Sequence, residues 1–404
     1  MLLAPYRVLD LTGPLGFLAG KVLADLGADV IKVEPPGGDP SRRWPPRRQG
    51  HDGSAPQSFF WLAANAGKRS ITLDLDGEEH RRLLLRLAER ADFLLESFPP
   101  GTLGGWGLED DVLRRRNPGL IVVSITPFGQ EGPYRDFAAF DLEIMALAGA
   151  MSLAGEEGGE PMRVSVPQAP MWVGVEAAMG ALTALAHRSA GGGGQRVDVS
   201  AQAAVLSALA HAPAFWDMSG VNPQRAGIYI TGRSVTGARM RAFWRCRDGW
   251  INFIIYGGAA GRHTNRELVS WMQERALAPE WLTGIDWSGF EVTTLTQEEV
   301  DRLEAPIEAF LATLTKREFM EGAIRRGMLG YPVSTVKDIA EDPQLTARGF
   351  WQDLEDPGAG SGLRYPGGFA VVNGTRLAQR RPAQLPGQHN REVLEELSTA
   401  EVKQ

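Results

Sequence analysis

An α/β fold with a parallel sheet in a large domain, joined to a smaller α+β domain, is predicted by three observations. Short β-branched runs alternate with helical patterns through the first third of the chain, as they do in a doubly wound sheet. Beyond about residue 225 this alternation gives way to a hairpin signal and several amphipathic helices. The composition is globular, with 404 residues, 43% hydrophobic and 23% charged, so a large core forms without covalent staples.

The elements follow in order. "RVLDL" (7–11) and "DVIKVE" (29–34) flank a helix over about 15–27, which makes one βαβ unit. The strand "SITLDL" (70–75) precedes a helix in which Asp76 and Glu79 stand in capping-box spacing and Leu83, Leu84, Leu87 and Ala88 form an apolar stripe. "DFLLES" (92–97), a short helix near 108–116 and "LIVVSIT" (120–126) continue the alternation. Residues 139–153 read as a helix. "RVSVPQ" (163–168) reads as a strand that opens a long small-residue helix over 170–187, and "QRVDVS" (195–200) as the next strand. In the second part, "RAFWRCRDGWINFIIY" is a hairpin with Asp248-Gly249 at its turn. These readings divide the chain into a large domain at 1–205, a linker at 206–225, a small domain at 226–335 and a segment at 336–404 that returns to complete the large domain.

Charge and cysteine usage exclude several functions. The net charge of −7 comes from 42 basic and 49 acidic side chains without a long block of one sign, which is neither a nucleic-acid footprint nor a polybasic membrane patch. One cysteine, Cys246, forms no internal disulfide and fits a reducing, cytoplasmic compartment. "MLLAPYRVLDL" enters a strand directly, without the succession of a signal peptide, and no run of about 18 uninterrupted apolar residues follows. The histidines at 51, 80, 187, 211, 263 and 389 are scattered, so no metal site is expected.

The spacing Gly13, Gly16, Gly20 after the first strand is not G-x-G-x-x-G, so these glycines read as packing residues and not as a nicotinamide cradle. Lys68 and Arg69 precede a strand and either hold phosphates or are solvated. Glu176 is the one ionisable side chain between Arg163 and His187. A lone carboxylate on a small-residue helix is either catalytic or turned to water or an arginine. Asp141 opens a helix, where it serves chemistry or simply caps.

Taken together, "VLDLTGPLGFLAGKVLADLGADVIKVEPPGGDPSR", "NAGKRSITLDL", "ADFLLESFPPGTL", "NPGLIVVSITPFGQEGPY", "GGGGQRVDVSAQ" and "DPQLTARGFW" through "PGQHNREVLEEL" resemble the class III CoA-transferases, the CaiB/BaiF family. The resemblance implies a Rossmann-like large domain, a small domain and two chains interlocked as a dimer. It implies a CoA thioester and a carboxylic acid as ligands, with no tightly bound cofactor. Arg42, Lys68, Arg69, Ser97, Phe98, Gly101, Thr102 and Trp106 match segments that line the CoA moiety. The loop with Gly257, Gly258 and Gly261 matches the glycine-rich segment over the reacting thioester.

One position departs from the family. The relatives carry a nucleophilic aspartate four residues before the glycine matching Gly174, and here that residue is Pro170. A pyrrolidine ring forms neither the anhydride nor the enzyme thioester of such a transferase. Glu176, first, and Asp141, second, are the carboxylates that would replace it, although Glu176 lies roughly 9 Å further along the helix. The helix start is expected to keep free N–H groups as an anion site. A subunit without its own nucleophile, paired with a related chain that carries the aspartate, or a CoA-thioester-binding protein without transferase activity, is the alternative.

Overall fold

Strands buried on both faces read as continuous apolar runs, and the runs found in the sequence assemble in this way. The computed structural model describes residues 2–48, 57–355, 363–377 and 381–401. These divide into two compact units, one of residues 1–151, 163–222 and 343–404, the other of residues 152–162 and 223–342.

The first unit is built on six parallel strands: β1 (Arg7–Leu11), β2 (Asp29–Glu34), β3 (Arg69–Thr72), β4 (Phe93–Glu96), β5 (Ile121–Thr126) and β6 (Arg196–Ser200). Their order is β3-β2-β1-β4-β5-β6, with Val8 opposite both Val30 and Phe93. This is the order of a doubly wound nucleotide-binding sheet. The helices are α1 (Phe17–Asp25), α2 (Phe59–Asn65), α3 (Glu78–Ala88), α4 (Asp110–Arg116), α5 (Asp141–Leu147), α6 (Ala169–Ser189) and α7 (Ala201–Ser207). The last helix of the chain, Asn390–Glu401, packs Val393 and Leu397 into the same unit, against Ile71, Leu84 and Leu87.

Several elements differ from the sequence reading. Residues 163–168 form no strand; they are exposed up to Pro167, because the ladder beside β5 is taken by β6. The helix expected over 139–153 stops at Leu147, since Gly149 turns left-handed at φ +83°, and only a 3-10 turn at Ala150–Ser152 follows. Asp76 does not cap α3. Gly77 holds that position without a side-chain bond, and the Asp76 N–H donates to Asp74. Residues 206–225, expected as a linker, include the end of α7 and a further helix, His211–Ser219.

Helix α6 explains its own composition. Ala169, Pro170, Val173, Gly174, Ala177, Ala178, Ala181 and Ala184 make a buried face of small side chains. A Cβ at Gly174 would sit 2.6 Å from Leu18 Cβ, so only glycine lets α6 lie this close to α1. Among the described residues, α6 alone is long and apolar enough to cross a membrane, and half of that stretch is buried in the protein.

The second unit holds the hairpin of β7 (Phe243–Cys246) and β8 (Gly249–Asn252), with Tyr331–Pro332 paired to β8. Helices α8 (Gly258–Glu274), α9 (Gln297–Leu311) and α10 (Lys316–Arg326) cover it, over a core of Trp244, Phe253, Trp271, Phe310 and Phe319. Thr296 with Glu299 and Thr315 with Glu318 form the capping boxes that start α9 and α10.

Candidate functional site

Strand order reverses between β1 and β4, and the turns leaving their carboxyl ends diverge there, which opens a crevice. It has a volume of about 350 Å³ and is lined by Leu11–Gly13, Lys32–Pro35, Asp39, Pro40, Leu73–Asp76, Ser97–Pro99 and Trp106. The Gly13 N–H donates to Ser97 Oγ at 2.7 Å, which stitches the turn after β1 to the turn after β4. Phe98 and Trp106 meet edge to face at 5.1 Å and give the crevice an apolar wall.

Glu34 ends β2, where a dinucleotide-binding protein presents a carboxylate to ribose. Here both of its oxygens are engaged by Arg42, at 2.6 and 2.7 Å, and it also accepts from Ser70 Oγ and the Asp39 N–H. Burial alone would raise its pKa; the Arg42 guanidinium and the Ser70 hydroxyl outweigh it and hold the carboxyl below the usual range. Arg42 lies over the Trp61 ring at 4.1 Å and donates to Gln384 O. It therefore backs the crevice through Glu34.

Two expected ligand residues are placed elsewhere. Lys68 is 1% exposed, and its ammonium donates to Asp10 Oδ2, Phe17 O and Asn65 Oδ1 at 2.8–2.9 Å. Arg69 donates to Asp29, Glu392 and Glu396 and fastens the last helix to the sheet. Both are buried and committed to protein acceptors, Lys68 just before β3 and Arg69 as its first residue. Gly101, at φ +88°, starts the turn Thr102–Gly105 and borders a neighbouring polar cavity of about 330 Å³ with Glu96, Ser124, Arg135 and Arg196. Thr102 Oγ1 donates to Pro99 O. Ser97, Phe98 and Trp106 are thus the expected residues that the structure brings together in the crevice.

The start of α6 is the second feature. Pro170 is buried in its first turn. The Asp141 carboxylate comes from the first turn of α5, and its Oδ1 accepts the N–H groups of Gln168 at 2.5 Å and Ala169 at 2.8 Å. Met171 and Trp172 donate back to Gln168 O. The N–H groups of Met171 and Trp172, expected free as an anion site after Pro170, are therefore taken by Gln168 O, while Asp141 takes the two N–H groups that precede the proline. Asp141 caps α6 and not its own helix, where Phe140 holds the N-cap position. Glu176 lies on the half-buried flank of α6 beside the exposed Val175 and Met179, six residues beyond Pro170. Of the two carboxylates, Asp141 is the one beside Pro170.

In the second unit, Gly257 precedes α8, Gly258 is left-handed at φ +70°, and Gly261 packs against Tyr256 with no room for a Cβ. The glycine-rich stretch is thus partly helix. Among the described residues no three His, Cys, Asp or Glu side chains are grouped to hold a metal; His51 lies outside those residues.

The sequence reading missed Asp10 and Lys32. Both are buried charges inside strands that otherwise read as apolar, and that mismatch was the available signal.

The family model for CoA-transferase family III matches residues 3–390, and the chain belongs to that family. It is 35% identical over 395 residues to succinyl-CoA:(R)-benzylsuccinate CoA-transferase subunit BbsE of Thauera aromatica, covering 97% of this chain and 93% of that one. It is 33% identical to succinate–glutarate CoA-transferase of Agrobacterium fabrum, over 99% and 96% of the two chains. A solved CaiB/BaiF family protein from Brucella suis superposes with a TM-score of 0.82 at 30% identity, over 97% of this chain and 98% of that one.

Proposed function

We propose that this chain binds a CoA thioester in the crevice at the carboxyl ends of β1, β2 and β4 and takes part in CoA transfer between dicarboxylic acids as the subunit that does not carry the nucleophile. The observation that carries this reading is Pro170 with Asp141 folded onto the adjoining N–H groups.

The chemistry requires a free carboxylate. Its oxygen attacks the thioester carbonyl and expels the CoA thiolate, leaving an acyl anhydride on the enzyme. The thiolate then attacks the enzyme side of that anhydride, releasing the donor acid and leaving an enzyme thioester, which the acceptor acid opens in the reverse sense. Asp141 Oδ1 is held by two N–H donors, which lowers its nucleophilicity. A related chain with an aspartate at the position of Pro170 supplies the missing group, and the two chains assemble as the interlocked dimer of the family. The relative named as a subunit supports this, and both curated relatives name succinate or succinyl-CoA with a second dicarboxylic acid. The single cysteine supports a cytoplasmic setting.

The test is exchange of label from succinyl-CoA into glutaryl-CoA by the purified chain alone. Ester binding without exchange is expected, with no hydroxylamine-sensitive thioester on the chain. Exchange that Asp141→Asn abolishes would overturn the subunit reading and make Asp141 the nucleophile.

A further inference from the structure

Beneath the crevice lies a charge cluster that does not sum to zero. Asp10, Lys32 and Lys68 are each no more than 2% exposed. Asp10 Oδ2 accepts from Lys68 Nζ at 2.8 Å, and its Oδ1 lies 3.8 Å from Lys32 Nζ. The ring of Phe17 is 5.3 Å from one ammonium and 5.5 Å from the other. The nearby buried pair Lys21 and Asp25 is neutral in itself, at 2.5 Å, so it leaves the excess of one positive charge unchanged. Burial of an uncompensated charge is costly, and such a charge needs a counter-ion.

The cluster is wired to the crevice. Lys32 lines it and donates to Thr12 O at 2.6 Å and Asp10 O at 3.1 Å, at the carboxyl end of β1. Asp10 Oδ1 in turn accepts the Thr12 N–H and hydroxyl. The turn Thr12–Gly13 that floors the crevice is therefore held by both signs of the cluster. Of the carboxylates in the lining, Glu34 is neutralised by Arg42, Asp39 is half-buried and accepts from Ser41 at the rim, and Asp74 and Asp76 are exposed. Exposed charges are screened by solvent and salt far more than buried ones.

We propose that an anionic ligand group seated above the Thr12–Gly13 turn completes this cluster electrically, which makes Lys32 and Lys68 positioning residues for an anion that neither of them touches. With the crevice as the CoA site, that anion is a phosphate of the coenzyme, so the inference deepens the reading given above.

The test measures binding of coenzyme A and, separately, of inorganic pyrophosphate to the full chain by calorimetry. Lys32→Met and Lys68→Met each make the cluster neutral and should weaken pyrophosphate roughly tenfold. Asp10→Asn raises the excess and should strengthen it. A merely structural role would weaken binding in all three variants, and that result would overturn the inference. If Asp10→Asn does not fold, Lys68→Met decides the matter alone, because Lys68 lines no part of the crevice; unchanged affinity for pyrophosphate refutes the proposal. Pyrophosphate binding without CoA binding would instead refute the CoA reading and leave the cluster's role standing.

Discussion

Removing the Asp141 carboxylate tests the link between α5 and α6. In Asp141→Ala the N–H groups of Gln168 and Ala169 lose the oxygen they share at 2.5 and 2.8 Å. Hydrogen bonds to a charged group contribute about 1.5–3 kcal/mol each, and a lost cap costs about 1 kcal/mol. Because one oxygen serves both donors and the site is partly open, a loss of about 2–3 kcal/mol is expected, not the full sum. Asp141→Asn keeps a carbonyl acceptor in place and should lose less than about 1 kcal/mol. Urea unfolding of the two variants against the parent chain, followed by far-ultraviolet circular dichroism, measures the difference. If Asp141→Ala unfolds at the same urea concentration as the parent, the carboxylate does not hold α6, and its oxygen is then free for chemistry.

Two further predictions concern groups away from that helix. Glu304, on α9, accepts the Arg241 N–H at 2.7 Å, and burial pushes its pKa from 4.5 up to about 7. A raised carboxyl pKa favours the protonated form in the folded state, so stability falls as pH rises from about 4.5 to about 7. Glu304→Gln should be more stable than the parent by on the order of 2 kcal/mol at pH 8 and lose that advantage below pH 4.5, as thermal scans across pH will show. Gly20→Ala should destabilise by about 1–3 kcal/mol, since its Cβ would overlap the Asp10 carboxylate; an unchanged melting temperature would contradict that packing.

Much of the sheet was legible because β1, β2, β4 and β5 are largely buried and leave apolar runs that need no knowledge of their neighbours, while the edge strand β6 shows the alternation of a half-exposed strand. β1, β2, β4, β5 and β6 fall within a residue of the runs read from the sequence, while β3 stops three residues short. Of the glycines after β1 read as packing residues, Gly16 faces Thr12 and Gly20 faces Asp10 closely enough to exclude a side chain, whereas Gly13 lines the crevice with only Ser97 near it. Residues 163–168 misled for the opposite reason. Their β-branched residues match a strand locally, but a strand exists only where a neighbouring edge is vacant, and β6 already filled that edge. Lys68 and Arg69 misled because a charge before a strand looks exposed until its partners are known. Those partners, Asp10, Glu392 and Glu396, lie 58 to 327 residues away in sequence.

The same long-range pairing fixes the crevice independently of α6. The crevice is fixed by contacts that converge on β1 and β2: Lys32 with Thr12, Asp10 with Lys68, and Glu34 with Arg42 and Ser70. None of these passes through α6. The first turn of α6, where the function proposed above places the missing nucleophile, is secured by a proline and by a carboxylate from α5. On that proposal, a change at position 170 takes away the nucleophile while leaving these crevice contacts intact. The proposed pairing with a sibling that carries an aspartate at this position follows from that separation, because the crevice contacts do not depend on α6.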